Sequence, residues 1–174
     1  MAVFNAGAYT NLASLLEQLT PSFVQKGSDE TITSSTTLQD DDELFLSLPV
    51  ATWEITGCVW IFSASTTAGD FKCAFTFPTG TLSYSATGYH VNYAAVDGSR
   101  DIESFGVVNS SSSPSGSVSL GCVAGVSLPV QIKGTLVNTA AGTLQFQWAE
   151  NTSNSTSTLV KAGSWLKAQR LVIV

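Results

Sequence analysis

The amino-acid sequence predicts an all-β chain: a jelly-roll-like antiparallel β-sandwich behind a short N-terminal helical arm. Three features lead there. From Thr31 onward apolar residues recur at every second position, the apolar runs are short, and Gly, Ser, Asn and Pro separate them. That is the pattern of half-buried antiparallel strands joined by turns. Only the start of the chain departs from it, where Leu12, Leu15, Leu16 and Leu19 fall at i, i+3, i+4 and i+7 and share one helical face. A chain of 174 residues with 44% apolar content has enough material for one sizeable core, which places the sandwich at residues 31–174 and the arm at residues 1–30.

In the arm, Thr10 or Asn11 can cap the helix and Pro21 ends it, since the residue before proline is pushed out of the helical region. About ten residues make too short a helix to persist alone in water. The leucine face, flanked by Phe4 and Phe23, is therefore expected to be an anchor buried against the chain's own domain, a sister subunit or a larger shell. Next comes a strand at about 31–38. The acidic run Asp40, Asp41, Asp42 and Glu43 reads as a hairpin turn whose aspartates bond their own backbone. Carboxylates also suit a hard cation such as calcium, but the run lacks the D-x-D-x-D-G spacing of a calcium loop.

Leu44, Leu46 and Leu48 alternate with Phe45 and Ser47 in the following strand. Trp53, Ile55, Gly57, Val59 and Ile61 share a face, while the opposite face turns apolar at Cys58, Trp60 and Phe62, so the second half of this strand is expected to be buried on both sides. Phe71, Cys73, Phe75 and Phe77 form the clearest strand, closed by Pro78-Thr79-Gly80. Further strands are expected near residues 89–93, 102–108, 118–123, 126–132, 144–148 and 166–173, with Pro129 marking an edge or a bulge. The total of about eight to ten strands suits a jelly roll or a related sandwich. Residues 110–116 and 151–158 read as long loops.

Chemistry is hard to find. His90 is the only histidine and sits between Tyr89 and Val91 on an expected strand, and there is no G-x-S-x-G elbow, Walker A or Rossmann glycine pattern. The expectation is a non-enzymatic protein with no cofactor and no metal. Cys58, Cys73 and Cys122 have no metal-ligand spacing and read as small core residues, with a Cys58 to Cys73 bridge left open should their strands pair. Seven scattered Lys and Arg and a net charge of -6 argue against nucleic acid as a direct partner, because phosphate binding needs clustered cations. The N-terminus lacks the basic and apolar regions of a secretory signal, and no stretch reaches the roughly 18 apolar residues of a membrane helix. The sequons at Asn109, Asn151 and Asn154 then read as ordinary loop sequence. Only 11% of residues are charged while Ser, Thr, Gly and Asn abound. Such a neutral, hydroxyl-rich surface suits packing against neighbouring subunits, since hydroxyls satisfy hydrogen bonds without the desolvation cost of buried charge.

The stretch Ser34-Ser35-Thr36-Thr37-Leu38-Gln39-Asp40-Asp41-Asp42-Glu43-Leu44 is followed by Gly69-Asp70-Phe71-Lys72 and Phe77-Pro78-Thr79-Gly80. Then come Leu144-Gln145-Phe146-Gln147-Trp148-Ala149-Glu150-Asn151-Thr152-Ser153 and Val160-Lys161-Ala162-Gly163-Ser164-Trp165-Leu166. In this order and spacing, over about residues 30–170, the chain resembles phage virion structural proteins, the capsid decoration and minor tail proteins of actinobacteriophage type. The resemblance implies a trimeric, tumour necrosis factor-like jelly roll without catalytic residues. It implies a capsid-decorating role on the outer surface of the virion, with the major capsid protein and the chain's own homotrimer as partners, after synthesis in the host cytoplasm. Cys58, Trp60 and Phe62 are the expected trimer interface, and Phe4, Leu12, Leu15, Leu16, Leu19 and Phe23 the expected capsid anchor or assembly residues. A fibre needs a shaft and only about 30 residues precede the sandwich, so decoration is favoured over a minor tail or tail-fibre role in host attachment. A carbohydrate-binding sandwich is the third reading, for which Trp53, Trp60, Trp148 and Trp165 are the candidate platform.

Overall fold

Strict alternation decides which side chains meet in the interior. The computed structural model describes residues 20–64, 70–88 and 104–171. Among them are twelve strands: β1 (Ser22–Gln25), β2 (Glu30–Ile32), β3 (Gln39–Leu48), β4 (Ala51–Ser63), β5 (Phe71–Thr76), β6 (Gly80–Gly88), β7 (Ser104–Ser110), β8 (Val118–Leu120), β9 (Val126–Asn138), β10 (Gly142–Glu150), β11 (Thr158–Val160) and β12 (Trp165–Leu171). They form two antiparallel sheets. The wide one runs β1-β12-β4-β9-β6-β7, with β11 and β2 continuing beside the far end of β4, and the narrow one runs β3-β10-β5-β8.

Without β2, β11 and the β6–β7 hairpin, four strands in the order β1-β12-β4-β9 face four in the order β3-β10-β5-β8. The chain crosses between sheets from β1 to β3, β3 to β4, β4 to β5, β8 to β9, β9 to β10 and β10 to the β11–β12 pair. This is the jelly-roll order. The hairpin is inserted between β5 and β8 and widens one sheet only.

The core is what the alternation predicts. Trp53, Ile55, Val59 and Ile61 of β4 and Leu128, Val130, Ile132 and Leu136 of β9 face Leu44, Leu46 and Leu48 of β3, Phe71, Cys73 and Phe75 of β5 and Leu144, Phe146 and Trp148 of β10. Phe146 sits between Phe71 and Phe75 at centroid separations of 6.5 and 5.4 Å. The wide sheet needs room for this layer at Gly134, where a Cβ would lie 2.6 Å from the Ser83 carbonyl oxygen and 2.7 Å from Tyr84 Cβ. At one end the buried Asn138 ties three segments together. Its Oδ1 accepts from Ala51 N at 2.9 Å and Trp53 Nε1 at 3.2 Å, and its Nδ2 donates to the Pro49 and Ala140 carbonyls at 3.0 and 2.8 Å.

Several expectations change. The acidic run is not a hairpin turn: residues 40–43 lie inside β3, where the β3–β10 register shifts between Gln145 and Gln147. This is a bulge, and the backbone N–H groups it frees are taken up by a carboxylate, because Glu43 N and Leu44 N donate to Asp41 Oδ1 at 3.0 and 2.9 Å. The second half of β4 is not buried on both sides in the single chain, since Trp60 is 39% exposed. A Cys58 to Cys73 bridge is excluded: both thiols are free, and β4 and β5 belong to different sheets. Pro129 does mark a local edge, because the β6–β9 ladder ends at Gln131 and Pro129 pairs only with Trp60. The sheet already includes Ser22–Gln25, paired with β12, ahead of the Thr31 boundary. The helix of the arm, the strand expected at 89–93 and His90 lie outside the described residues.

Candidate functional site

Side chains that alternate away from the core of the wide sheet form its outer face, and there the registers decide what meets. Trp165 stands opposite Cys58 and Gln25, Cys58 opposite Gln131, Trp60 opposite Pro129, and Phe23 opposite Lys167. The structure thus brings the three expected interface residues, Cys58, Trp60 and Phe62, onto one outward row of β4 and adds Trp165 and Phe23 beside them. Phe23 is 58% exposed and stacks on Trp165 with centroids 6.1 Å apart and rings inclined at 29°. At the other end of the row the Lys161 ammonium lies 5.6 Å from the centre of the Phe62 ring, a cation–π contact.

The stripe is held rigidly. Trp60 N donates to Ser164 Oγ at 2.9 Å and Lys161 N to the Trp60 carbonyl at 2.8 Å, so the β11–β12 connection fixes the backbone under the indole. Gln131 Nε2 donates to Cys58 Sγ at 3.4 Å. Burial pushes the Cys58 thiol up, partly offset by that hydrogen bond, so it behaves as a packing residue and not as a nucleophile.

Beyond the stripe the same face carries a shallow groove of about 500 Å³, lined by Glu54, Ser83, Ser85, Lys133, Thr135 and Val107 among others. Its hydroxyls are ordinary strand residues, and no group of three or more His, Cys, Asp or Glu suited to a metal occurs among the described residues. Of the four tryptophans, Trp53 and Trp148 are buried in the core. This removes them from the sugar-platform expectation and leaves Trp60 and Trp165. Phe4, Leu12, Leu15, Leu16 and Leu19 lie outside the described residues. Phe23 lies in β1, as part of the outer face.

Sequence reasoning missed Trp165 as the partner of Cys58 because adjacency across β12 and β4 depends on a register between strands about a hundred residues apart. The chain matches no known family model, and no curated protein matches it.

Proposed function

We propose that this protein is a phage capsid decoration protein that binds the outside of the shell as a trimer and stiffens it. The observation that supports this best is the aromatic stripe of Phe23, Trp165, Trp60 and Phe62 on a rigid sheet whose other face is the core. Contiguous apolar surface of this kind costs solubility unless a neighbour covers it, and closed cyclic symmetry covers it without leaving an open end. A tumour necrosis factor-like arrangement packs such a face against the next copy. Many modest contacts around a trimer, each weak alone, then sum to firm attachment on a symmetric shell.

The test is a comparison of particles with and without the protein. Particles lacking it should assemble but release DNA at a lower temperature, and adding back the purified chain should restore heat resistance. Equal heat resistance of the two particle types would move the role to a tail or host-attachment component. A second reading, glycan binding, is favoured by the exposed Trp60 on the same outer face that carries, farther along β4, the hydroxyl-lined groove. It predicts quenching of tryptophan fluorescence by oligosaccharides and loss of that response in Trp60→Ala.

A further inference from the structure

Lys26, immediately after β1, is 2% exposed, and Asp41 in the β3 bulge is 1% exposed. The Lys26 backbone is fixed on both sides, since its N donates to the Ser164 carbonyl at 2.7 Å and its carbonyl accepts from Gly163 N at 2.9 Å. Its ammonium therefore enters the space between the sheets with little freedom. There Nζ lies 2.9 Å from Asp41 Oδ1, 2.9 Å from Glu30 Oε2 and 3.9 Å from Glu43 Oε1. Glu30 is itself held, accepting from Asp42 N at 3.0 Å and Gln39 Nε2 at 2.8 Å. Glu43 is tied to Gly27 N, Ser28 N and Ser28 Oγ.

The two oxygens of Asp41 differ sharply. Oδ1 accepts from Lys26 Nζ, Glu43 N and Leu44 N, while Oδ2 is buried without a hydrogen-bond partner. One immobilised amine, one carboxyl group with two backbone N–H donors on a single oxygen, and a second carboxylate touching the amine are the parts of an acyl-transfer site.

We propose that Lys26 and Asp41 join through an amide bond between Nζ and Cγ, formed spontaneously in the folded chain with Glu30 as the proton carrier. One proton passes from the ammonium to the Asp41 carboxyl, which carries it on Oδ2, and the neutral amine keeps two; the second leaves the nitrogen for Glu30 only as the C–N bond forms. The freed nitrogen pair attacks Cγ, and the negative charge that develops on Oδ1 is met by the Glu43 and Leu44 N–H groups. Glu30 returns its proton to Oδ2, the Cγ–Oδ2 bond breaks, and Oδ2 departs as water. No oxidant, reductant or outside reagent is needed. The atom that leaves is the one without a partner.

The electrostatics of Asp41 push the same way, while those of Lys26 oppose it. A buried ion pair carries the desolvation cost of both charges, whereas the amide is neutral. Burial pushes the Asp41 carboxyl above its ordinary range, toward the protonated form from which a hydroxyl leaves. For Lys26, burial pulls the ammonium down, but hydrogen bonds from it to Glu30 and Asp41, and their charges, outweigh this and hold it above its usual value. This disfavours the neutral amine in the resting pair, so the proton it gives up must pass directly to an adjacent carboxylate. A link here would fasten β1 to the opposite sheet.

Intact mass measurement of the full chain after folding tests this. The expected result is a mass lower than the sequence mass by one water, with a branched proteolytic peptide joining residues 26 and 41. Lys26→Arg should restore the full mass, and Glu30→Gln should slow linkage about a hundredfold, in line with the loss of a positioned proton carrier. Wild-type protein that keeps its full mass after long incubation in the folded state would overturn the proposal and leave a plain buried ion pair. A water-loss species that survives Lys26→Arg would overturn it equally, by placing the loss elsewhere, and unslowed linkage in Glu30→Gln would remove Glu30 from the mechanism. None of these outcomes depends on the oligomeric state or on any particle.

Discussion

Removing the two most open aromatics of the outer face, by Phe23→Ser and Trp60→Ser, should dissolve the proposed trimer without unfolding the sandwich. Phe23 is 58% exposed and Trp60 39%. Aromatic side chains bury about 150–250 Å² when fully covered, so each leaves about 100 Å² open in the single chain. At about 25 cal/mol per Å² the covering of that area contributes about 2.5 kcal/mol per side chain. Each single change should therefore weaken association by roughly 50- to 100-fold, and the pair by several thousandfold before non-additivity. Sedimentation equilibrium over a concentration series reads this directly. A parallel urea titration should show each variant within about 0.5 kcal/mol of the parent, as expected at exposed positions away from special backbone features. Unchanged association of the double variant, or a wild-type chain that stays monomeric throughout the series, would refute the reasoning. Loss of the urea midpoint together with association would show that the stripe serves folding and not assembly.

Other consequences can be measured on the isolated chain. Phe146→Ala empties the contact between Phe71 and Phe75 and should cost about 3–5 kcal/mol in chemical denaturation. Gly134→Ala forces a methyl to within 2.6 Å of the Ser83 carbonyl in a central strand, which should cost about 1–3 kcal/mol through overpacking, with the midpoint lowered and the slope unchanged. Burial raises Cys73 from 9.0 to about 12, and burial together with the Asp70 charge raises Cys122 to about 12. Both groups ionise earlier in the unfolded chain, so stability should fall as pH rises through 9 toward 12, at about 1.4 kcal/mol per unit per group. Lys26, whose value is raised from 10.5, adds a loss in the same direction above that pH if it remains a free amine. Urea midpoints measured from neutral to alkaline pH would check the slope, and a flat profile would contradict it. Cys73 should resist thiol reagents in the folded chain near pH 8 and react at once in urea.

The strands whose inner faces are continuous hydrocarbon were legible in the sequence. Leu44, Leu46 and Leu48, and Phe71, Cys73 and Phe75, declare their period because a single slip would turn every side chain to the wrong face. The outward row Cys58, Trp60 and Phe62 followed from the same alternation. What escaped were features set by partners far along the chain. β6 alternates Leu82, Tyr84 and Ala86 with Ser and Thr, a weak signal that gains meaning only beside β9. Asp41 looked like a turn aspartate because it does bond its own backbone, yet its burial depends on Lys26, fifteen positions earlier. Phe23 reads as the tail of the leucine face until the pairing of β1 with β12 puts it against Trp165.

The chain enters β1 and leaves β12 at the same end of the wide sheet, since Ser22 pairs with Ala168 and Leu171 with Thr52, beside the segments tied by Asn138. Tension drawn through both strand ends would therefore peel β1 from β12 one pair at a time, from Ser22 toward Gln25, instead of loading all four pairs of that ladder together. Such an unzipping front yields at low force, and it would run along β1 until it met Lys26, whose side chain is clamped to the opposite sheet at Asp41. The edge strand is thus a strap with a stop at its far end: it can give under a pull on the chain leading into it while the thirteen-pair ladder between β4 and β9 stays closed behind it.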